Sequence, residues 1–569
     1  MIQTCLVYFK RTILLYVVLG FLVQFCSAYG ITLFQQLLDN VAAASGFNAA
    51  LPLVMLYGAM LAVTTIVNYL ILYPQTYLSA GIMEKLKLLA FGKVSRIDYA
   101  AYQNIGTGEM IKVIENGAAA GTQIIHAFYL RILQELLPTV LFSLLFISRY
   151  SPTVMLIIGA GYAVIFGMNH VLLRVLYRFK SALLESQEKM SAQSVRGFME
   201  LVVFRLNKRY RKEMERMQRT AEDIVSKSTQ IRMIHESFFA VFALLVNGIK
   251  IVVLVYGIKR ILEGDTSIGA IVALLLFIEH VYSPIAIFNV LFVDYKLNRV
   301  AFARLERFAN APEDMNLETG REVGELKGDL AFEHVTFGYG GTEALRNVTF
   351  AVKRGSSVAI VGLSGSGKST LIKLMLGLLK KQSGSIRWDG SDIDELKLNS
   401  LYDHVSYISQ EAPIFADSIR GNIDFDRELP DELIYDILTL VRMKEEVLRM
   451  PDRLDALVGE KGMKLSGGER QRLAFARIIA QRRNVVILDE PVSGLDNITE
   501  KTIMDEVLRL FRGRTLVIVA HRLHAIANVD TILLVKDGEV VGEGSFAELI
   551  QTSGYFQALW QQDSRNGAR

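Results

Sequence analysis

The stretch Val361-Gly362-Leu363-Ser364-Gly365-Ser366-Gly367-Lys368-Ser369-Thr370 decides how the second half of the chain is read. It fits the phosphate-binding loop pattern G-x-x-x-x-G-K-[ST], follows a short apolar run, Val358 to Val361, and precedes an apolar helix-forming stretch, Leu371 to Leu379. The chemistry needs that setting. Glycines let backbone N–H groups turn inward on an anion, and a helix starting near Lys368 adds the positive end of its dipole. Lys368 is placed to reach the outer phosphates and the Ser369 hydroxyl to sit on a magnesium ion. A Gly/Ser-rich turn with a lysine beside it is the bland alternative; the strand-loop-helix setting argues against it and for a bound nucleoside triphosphate.

Further pieces of chemistry follow. Leu330 to Phe337 alternates like a strand and ends in Gly338-Tyr339-Gly340-Gly341, where Tyr339 reads as a turn aromatic and position alone does not decide its role. Val405 to Ser409 is a strand ending in the amide of Gln410. Val485 to Leu488 is a buried-type strand ending in Asp489 and Glu490. Adjacent carboxylates at a strand's carboxyl end are costly to bury without a cation, which favours a metal site. Asp489 suits magnesium and Glu490 a general base that orients water. Thr515 to Ala520 is a strand followed by His521. Between them, Leu465-Ser466-Gly467-Gly468-Glu469-Arg470-Gln471-Arg472 leads into an apolar helical run. It offers a second loop-into-helix anion site, or a helix cap in which Ser466 and Glu469 form a capping box; the two can coexist.

The first half is of another kind. The chain has 569 residues, is 51% hydrophobic and carries a net charge of only +4; its mean hydropathy is +0.31. So weak a positive balance gives no support to a nucleic-acid partner. Cys5 and Cys26 build neither a disulfide framework nor a thiolate metal site. Apolar segments near 13–36, 50–74, 122–148, 153–173, 238–260 and 268–293 predict six membrane spans, each about 20 residues or more. The first is too long for a signal-peptide core. Met1 to Thr12 reads as an elbow at the membrane surface, with no peptidase ahead of it. Long gaps after spans two and four are rich in helix formers, so the spans are expected to continue beyond the bilayer. Basic residues such as Arg174, Arg178, Lys208 and Arg211 put these gaps and both termini in the cytoplasm. Arg205 to Arg219 could lie on lipid, but its interleaved acids favour a solvated helix face. The expected division is a membrane domain, 1–309, a linker, 310–328, and a nucleotide-binding domain, 329–569.

The ordered set of aromatic loop, phosphate loop, glutamine loop, LSGGERQR, paired carboxylates and histidine resembles the cassette of ATP-binding cassette (ABC) transporters, from about Leu330 to the end. Glu469 replaces the family's glutamine, and Ser493-Gly494-Leu495-Asp496 has glycine where the family has alanine. The fold class implied is an all-α membrane domain of six transmembrane helices with long cytoplasmic extensions, followed by an α/β P-loop cassette. The resemblance further implies that Tyr339 stacks on adenine, that Gly362, Ser364 to Thr370 and Gln410 hold Mg2+–ATP, and that His521 contacts the γ-phosphate. Ser466, Gly467, Gly468 and Asp496 would act on ATP held by a second copy of the chain or a related half-transporter. Thr107-Gly108-Glu109 and Val458-Gly459-Glu460-Lys461-Gly462 are similar to exporter motifs, with coupling helices expected near Asp98–Ile105 and Gly197–Phe204. The implied activity is ATP hydrolysis coupled to export across a plasma or inner membrane. An exporter-shaped importer of a metal chelate and an ATP-gated receptor or channel are the alternatives; Glu490 and His521 speak against the latter. A soluble ABC ATPase would lack the spans.

Polar residues inside the spans are the only clue to substrate. Gln24, Asn68, Glu135, Asn169, His170, Asn247, Glu279, His280 and Asn289 qualify, and ionisable groups in a span face a cavity or a partner by default. Glu279 and His280, one turn from Pro284, and Glu135 are the candidates for substrate contact; interhelical hydrogen bonding is the competing role. Their scattered polarity suits a small amphipathic molecule: a lipid, a peptide or a hydrophobic drug.

Overall fold

The computed structural model describes the chain except at 44–46, 106, 200–204, 411–412, 426, 460–461, 492–496, 521 and 568–569. Contacts divide it into two units, Met1–Ser95 with Ile105–Ala311, and Arg96–Asn104 with Pro312–Arg569.

The first unit is helical. A short helix α1 (Ile2–Tyr8) leads into α2 (Lys10–Ala42) and α3 (Phe47–Val94). Beyond α4 (Tyr99–Ile105), α5 (Thr107–Thr122) continues through two π-helical stretches, Gln123–Leu130 and Ile132–Leu136, into α6 (Leu137–Tyr150). Then come α7 (Pro152–Met199), α8 (Tyr210–Leu262) and α9 (Ile268–Ala309). At 1.5 Å per residue, the 48 residues of α3 and the 53 of α8 run to roughly 70–80 Å, far beyond a hydrocarbon core of about 30 Å. The gaps after spans two and four are therefore largely continuations of the spans. Among the described residues, Lys10–Ala42, Phe47–Val94, Met110–Tyr150 and Tyr210–Leu262 are long and apolar enough to cross a membrane. Pro152–Gly161 and Ile268–Pro284 are the shorter apolar stretches of the two remaining long helices.

Packing here is aromatic and aliphatic, around Phe146, Ile158, Phe242, Phe277 and Tyr282. The one hydroxyl in that set is satisfied: Tyr282 donates to the Ile158 carbonyl at 2.8 Å. The start of α9 is fixed twice. Ser267 accepts from the Ala270 N–H at 3.0 Å, and Asp39 of α2 accepts from Ser267 Oγ and the Gly269 N–H at 2.9 and 3.0 Å. A carboxylate at a helix N-terminus also meets the favourable end of the dipole.

The second unit holds two sheets. Strands β1 (Leu330–Tyr339), β2 (Thr342–Val352), β4 (Ser383–Trp388) and β5 (Ser391–Asp392) form an antiparallel sheet in the order β2-β1-β4-β5. Strands β3 (Ser357–Val361), β6 (Val405–Ile408), β7 (Val485–Asp489), β8 (Thr515–Val519), β9 (Thr531–Lys536) and β10 (Glu539–Gly544) form the other, ordered β10-β9-β3-β8-β7-β6. All its pairings are parallel except β10 with β9. β7 and β8 are buried at every position, which is why Val485–Leu488 and Leu516–Val519 read as unbroken apolar runs. Helices α10 (Lys368–Met375), α11 (Asp431–Leu440), α12 (Gly467–Gln481) and α13 (Asn497–Leu510) belong to this unit. The helix expected to start near Lys368 does start there, but it stops at Met375, short of Leu379, where the chain turns through Gly377 at φ +70°.

The first expected coupling segment, up to Asn104, also belongs to this unit. Asp98 caps α4, accepting from the N–H groups of Ala100 and Ala101 at 3.0 and 3.1 Å. Its backbone N–H donates to the Pro312 carbonyl, and Asp314 N–H donates to Arg96. Lys373 of α10 sits 5.7 Å from the centre of the Tyr99 ring, and Tyr99 packs on the apolar core below. For the second coupling segment, residues 200–204 lie outside the described residues.

Candidate nucleotide site and membrane cavity

Strand order builds the nucleotide site. β3 lies between β9 and β8, β8 pairs with β7, and β7 with β6, all parallel. The loops leaving β3, β6 and β7 therefore emerge at one edge, carrying the phosphate loop, Gln410 and Asp489–Glu490. The carboxyl edge of a parallel sheet is where such folds bind ligands.

The phosphate loop is held tightly. Gly367 has φ +107° and caps α10. A Cβ at Gly362 would lie 2.1 Å from the Val535 carbonyl oxygen and 2.7 Å from Ser366 Oγ, so the first glycine is required by close approach of backbone. Lys368 is buried, and its Nζ donates to the carbonyls of Gly362 and Leu363, both at 2.9 Å. Burial pushes its pKa down, while the negative charges of Glu490 and Asp489 push it back up. Ser364, Gly365 and Ser369 are exposed; Ser366 and Thr370 are buried. Ser366 Oγ is buried with no hydrogen-bond partner among the described residues, an orphan polar atom inside an anion-binding loop.

Opposite the loop, Gln410 Nε2 donates to Glu490 Oε2 at 2.8 Å. Glu490 has φ +51°, a conformation uncommon outside glycine, and its N–H donates to the Val519 carbonyl at 3.0 Å. Strain of that kind concentrates at working sites. Asp489 is only 8% exposed, and its charge, after burial, helps hold the Tyr407 phenol above its usual range. Among the described residues no cluster of three or more His, Cys, Asp or Glu could hold a metal by itself. Magnesium needs no such cluster: it takes one or two carboxylates and completes its shell with phosphate and water. Asp489, the Ser369 hydroxyl and Gln410 are fit to hold it. Bound there, magnesium would supply positive charge against the negative charge of the outer phosphates.

Tyr339 is exposed at the tip of the β1–β2 hairpin, its ring edge-on to Phe337 at 4.9 Å. Its hairpin reaches the phosphate loop, because a Cβ at Gly367 would meet Leu345 of β2 at 2.7 Å. Ser466 and Glu469 form the capping box of α12: Glu469 N–H donates to Ser466 Oγ at 3.3 Å and Ser466 N–H to Glu469 Oε2 at 2.6 Å. Hydrogen bonds from Ser466 hold the Glu469 carboxyl below its ordinary value. Ser466 and Gly467 are exposed, and among the described contacts none joins them to the phosphate loop of their own chain. His521 and Asp496 lie outside the described residues.

In the membrane unit, a cavity of about 420 Å3 is lined by Gln24, Glu135, Thr139, Glu279, His280 and Ser283. All three candidate substrate residues thus share one space. Two cations missing from the sequence-based candidates neutralise its carboxylates. Lys250 Nζ meets Glu279 Oε2 at 2.7 Å, and Arg131 Nε meets Glu135 Oε2 at 2.8 Å. Lys250 carried a signal: it is a cation within the fifth apolar segment. His280 Nδ1 lies 3.0 Å from Ser143 Oγ. Glu135 sits in a π-helical stretch, a backbone form common at functional sites.

With this geometry in place, the comparisons with known proteins are decisive. Residues 13–285 match the family model "ABC transporter transmembrane region", and residues 345–493 match "ABC transporter". The chain belongs to the ABC transporters. One membrane region followed by one cassette is the half-transporter layout of the exporter type. ATP-binding cassette sub-family B member 6 of Xenopus tropicalis is 35% identical over 306 residues, 53% of this chain and 36% of that protein. An ATP-dependent lipid A-core flippase of Burkholderia pseudomallei is 34% identical over 322 residues, 55% of this chain and 54% of the flippase. Heavy metal tolerance factor 1 of Caenorhabditis elegans is 32% identical over 305 residues, 52% of this chain and 38% of that protein. The chain thus spans roughly a third to a half of these relatives' lengths. A structure titled as a bacterial Atm1-family ABC exporter with ATP bound superposes with a TM-score of 0.84 over 98% of both chains, at 21% identity, and so shares the fold.

Proposed function

We propose that this ABC transporter hydrolyses ATP to export a small amphipathic substrate across a cell membrane, working as a homodimer by alternating access. The observation that carries the reading is the edge where Lys368, Gln410, Asp489 and Glu490 converge, in a chain that also holds a helical membrane region. In this reading Lys368 leaves its two carbonyl acceptors for the outer phosphates, and Gln410 holds the Glu490 carboxylate toward the attacking water. The exposed start of α12, with Ser466, Gly467 and Gly468, closes over ATP held by a second copy, whose phosphate loop it completes. His521 and Asp496 are assigned to the same composite site by their match to the family's motifs.

ATP favours the closed pair because it touches both halves, and hydrolysis removes that preference. The 420 Å3 cavity is the substrate site in this reading, with Glu279, His280 and Glu135 on its wall. The nucleotide domain and both termini are assigned to the cytoplasm by the basic residues of the long helical gaps. The relatives named for heavy-metal tolerance keep import or export of a metal chelate within the test set. ATP-driven uptake into inside-out vesicles, but not right-side-out vesicles, is the expected result; accumulation of substrate only with the opposite orientation would establish import instead.

A further inference from the structure

Three helices of the cassette surround a second cavity, of about 190 Å3, none of whose lining residues is a candidate nucleotide ligand. Its walls are apolar: Leu440 at the end of α11, Phe475 and Ile479 of α12, Ile503 and Val507 of α13. An apolar cavity of roughly 150 Å3 is enough to take up benzene, so this one has room for a single ring with a short arm. Polarity is concentrated in Arg442, Arg472 and Glu506. Glu506 is already paired with Arg509, and Arg472 Nη2 meets Glu446 Oε1 at 3.0 Å. Arg472 Nε, in contrast, is buried with no hydrogen-bond partner among the described residues. A buried charged donor without an acceptor is costly, and an acceptor supplied by a ligand relieves that cost. Arg442, exposed, adds a second positive charge.

We propose that this cavity is a ligand site for a small aromatic carboxylate, its ring against Phe475, Ile479 and Val507 and its carboxylate on Arg472, and that occupancy slows ATP turnover. The second clause rests on the composite site proposed above. α12 begins at Ser466–Gly468, and α13 follows directly on Ser493–Asp496, the two segments assigned to the partner's ATP. A ring lodged between α12 and α13 fixes the spacing of both. The site thus joins a metabolite-sized acid to the geometry of the dimer interface.

The test uses the full chain in lipid nanodiscs, with 3-phenylpropionate as probe and 3-phenylpropionamide as its neutral match. Binding is read by isothermal titration, with empty nanodiscs subtracted. Val507→Phe and Ile479→Phe fill the cavity from two different helices, and each is first shown to bind ATP as wild type does. The expected result is saturable binding of the acid, about tenfold weaker binding of the amide, as suits loss of one charge-assisted contact, and no binding in either filled variant. ATP turnover should fall at least about twofold at saturating acid in wild type and stay level in the filled variants. No saturable binding, or equal binding in the filled variants, overturns the site. Binding with unchanged turnover overturns the regulatory clause. A wild-type chain without ATPase activity would count against the exporter reading, while the binding isotherm would still decide the site.

Discussion

Replacing Glu490 by glutamine separates ATP binding from turnover more cleanly than any other single change. The shape is kept. Gln410 Nε2 donates to Glu490 Oε2 at 2.8 Å, and a glutamine at 490 still presents an amide oxygen there. The backbone at φ +51° and the N–H bond to Val519 are untouched by the exchange. What is lost is the carboxylate proposed to orient water and take its proton. Loss of a general base costs about 10²–10⁴ in rate, or roughly 2.7–5.4 kcal/mol of barrier. ATP affinity should be retained or rise, because one negative charge leaves the neighbourhood of the phosphates. Gln410→Ala should act more weakly, about tenfold on kcat for one lost positioning contact, and should also raise the magnesium concentration needed for half-maximal turnover. The assay is steady-state phosphate release in nanodiscs, with binding of a fluorescent ATP analogue measured in parallel. Turnover in Glu490→Gln within a factor of two or so of wild type, with ATP binding intact, would refute the assignment of the base.

Three further outcomes are expected. Gly362→Ala drives a methyl group to 2.1 Å from the Val535 carbonyl and should cost about 1–3 kcal/mol by overpacking, seen as a lower thermal midpoint and weakened ATP binding; an unchanged midpoint contradicts the close approach. Arg477→Met should cost about 2–5 kcal/mol, read by thermal unfolding, because the half-buried guanidinium serves the Pro413 carbonyl and both the carbonyl and side chain of Asn422 and lies over the rings of Phe415 and Phe425; wild-type stability would show that those carbonyls find other donors. Glu279→Ala leaves Lys250 without its 2.7 Å partner on the cavity wall and should alter substrate-stimulated ATPase while sparing basal turnover; an unaltered substrate response returns the pair to a purely structural role.

What could be read in the sequence, and what could not, follows the range of the interactions. Phosphate loop, glutamine, paired carboxylates and capping box are each written in a few consecutive residues, and parallel strand ends bring them to one edge. The capping box at Ser466 and Glu469 needed only a three-residue spacing. Arg131–Glu135 is an i,i+4 pair that spacing alone announces, whereas Lys250–Glu279 depended on which way two helices face. Lys250 and Glu279 lie on different helices, so no local pattern announces the pair. The π-helical turns of 123–136 escape a reading based on a period of 3.6 residues, since composition there is ordinary for a span. Arg477, on a helix with other basic residues, resembles a solvated face by sequence, yet burial and two aromatic rings hold it, with its pKa brought down to about 10 by desolvation.

The central claim is that one chain supplies the phosphate loop and another the start of α12, and mixing two crippled chains tests it. Lys368→Ala removes the phosphate-loop cation. Gly467→Asp changes an exposed position where a Cβ would meet only Arg470 Nη2, at 4.0 Å, so within its own chain the substitution has room. Each variant alone should be nearly inactive. Co-assembled at equal amounts in nanodiscs, half the pairs are mixed, and each mixed pair holds one doubly damaged and one intact composite site. Phosphate release should then recover toward about a quarter of the wild-type rate at random pairing. A mixture no more active than the two variants measured separately would contradict a site shared between two copies.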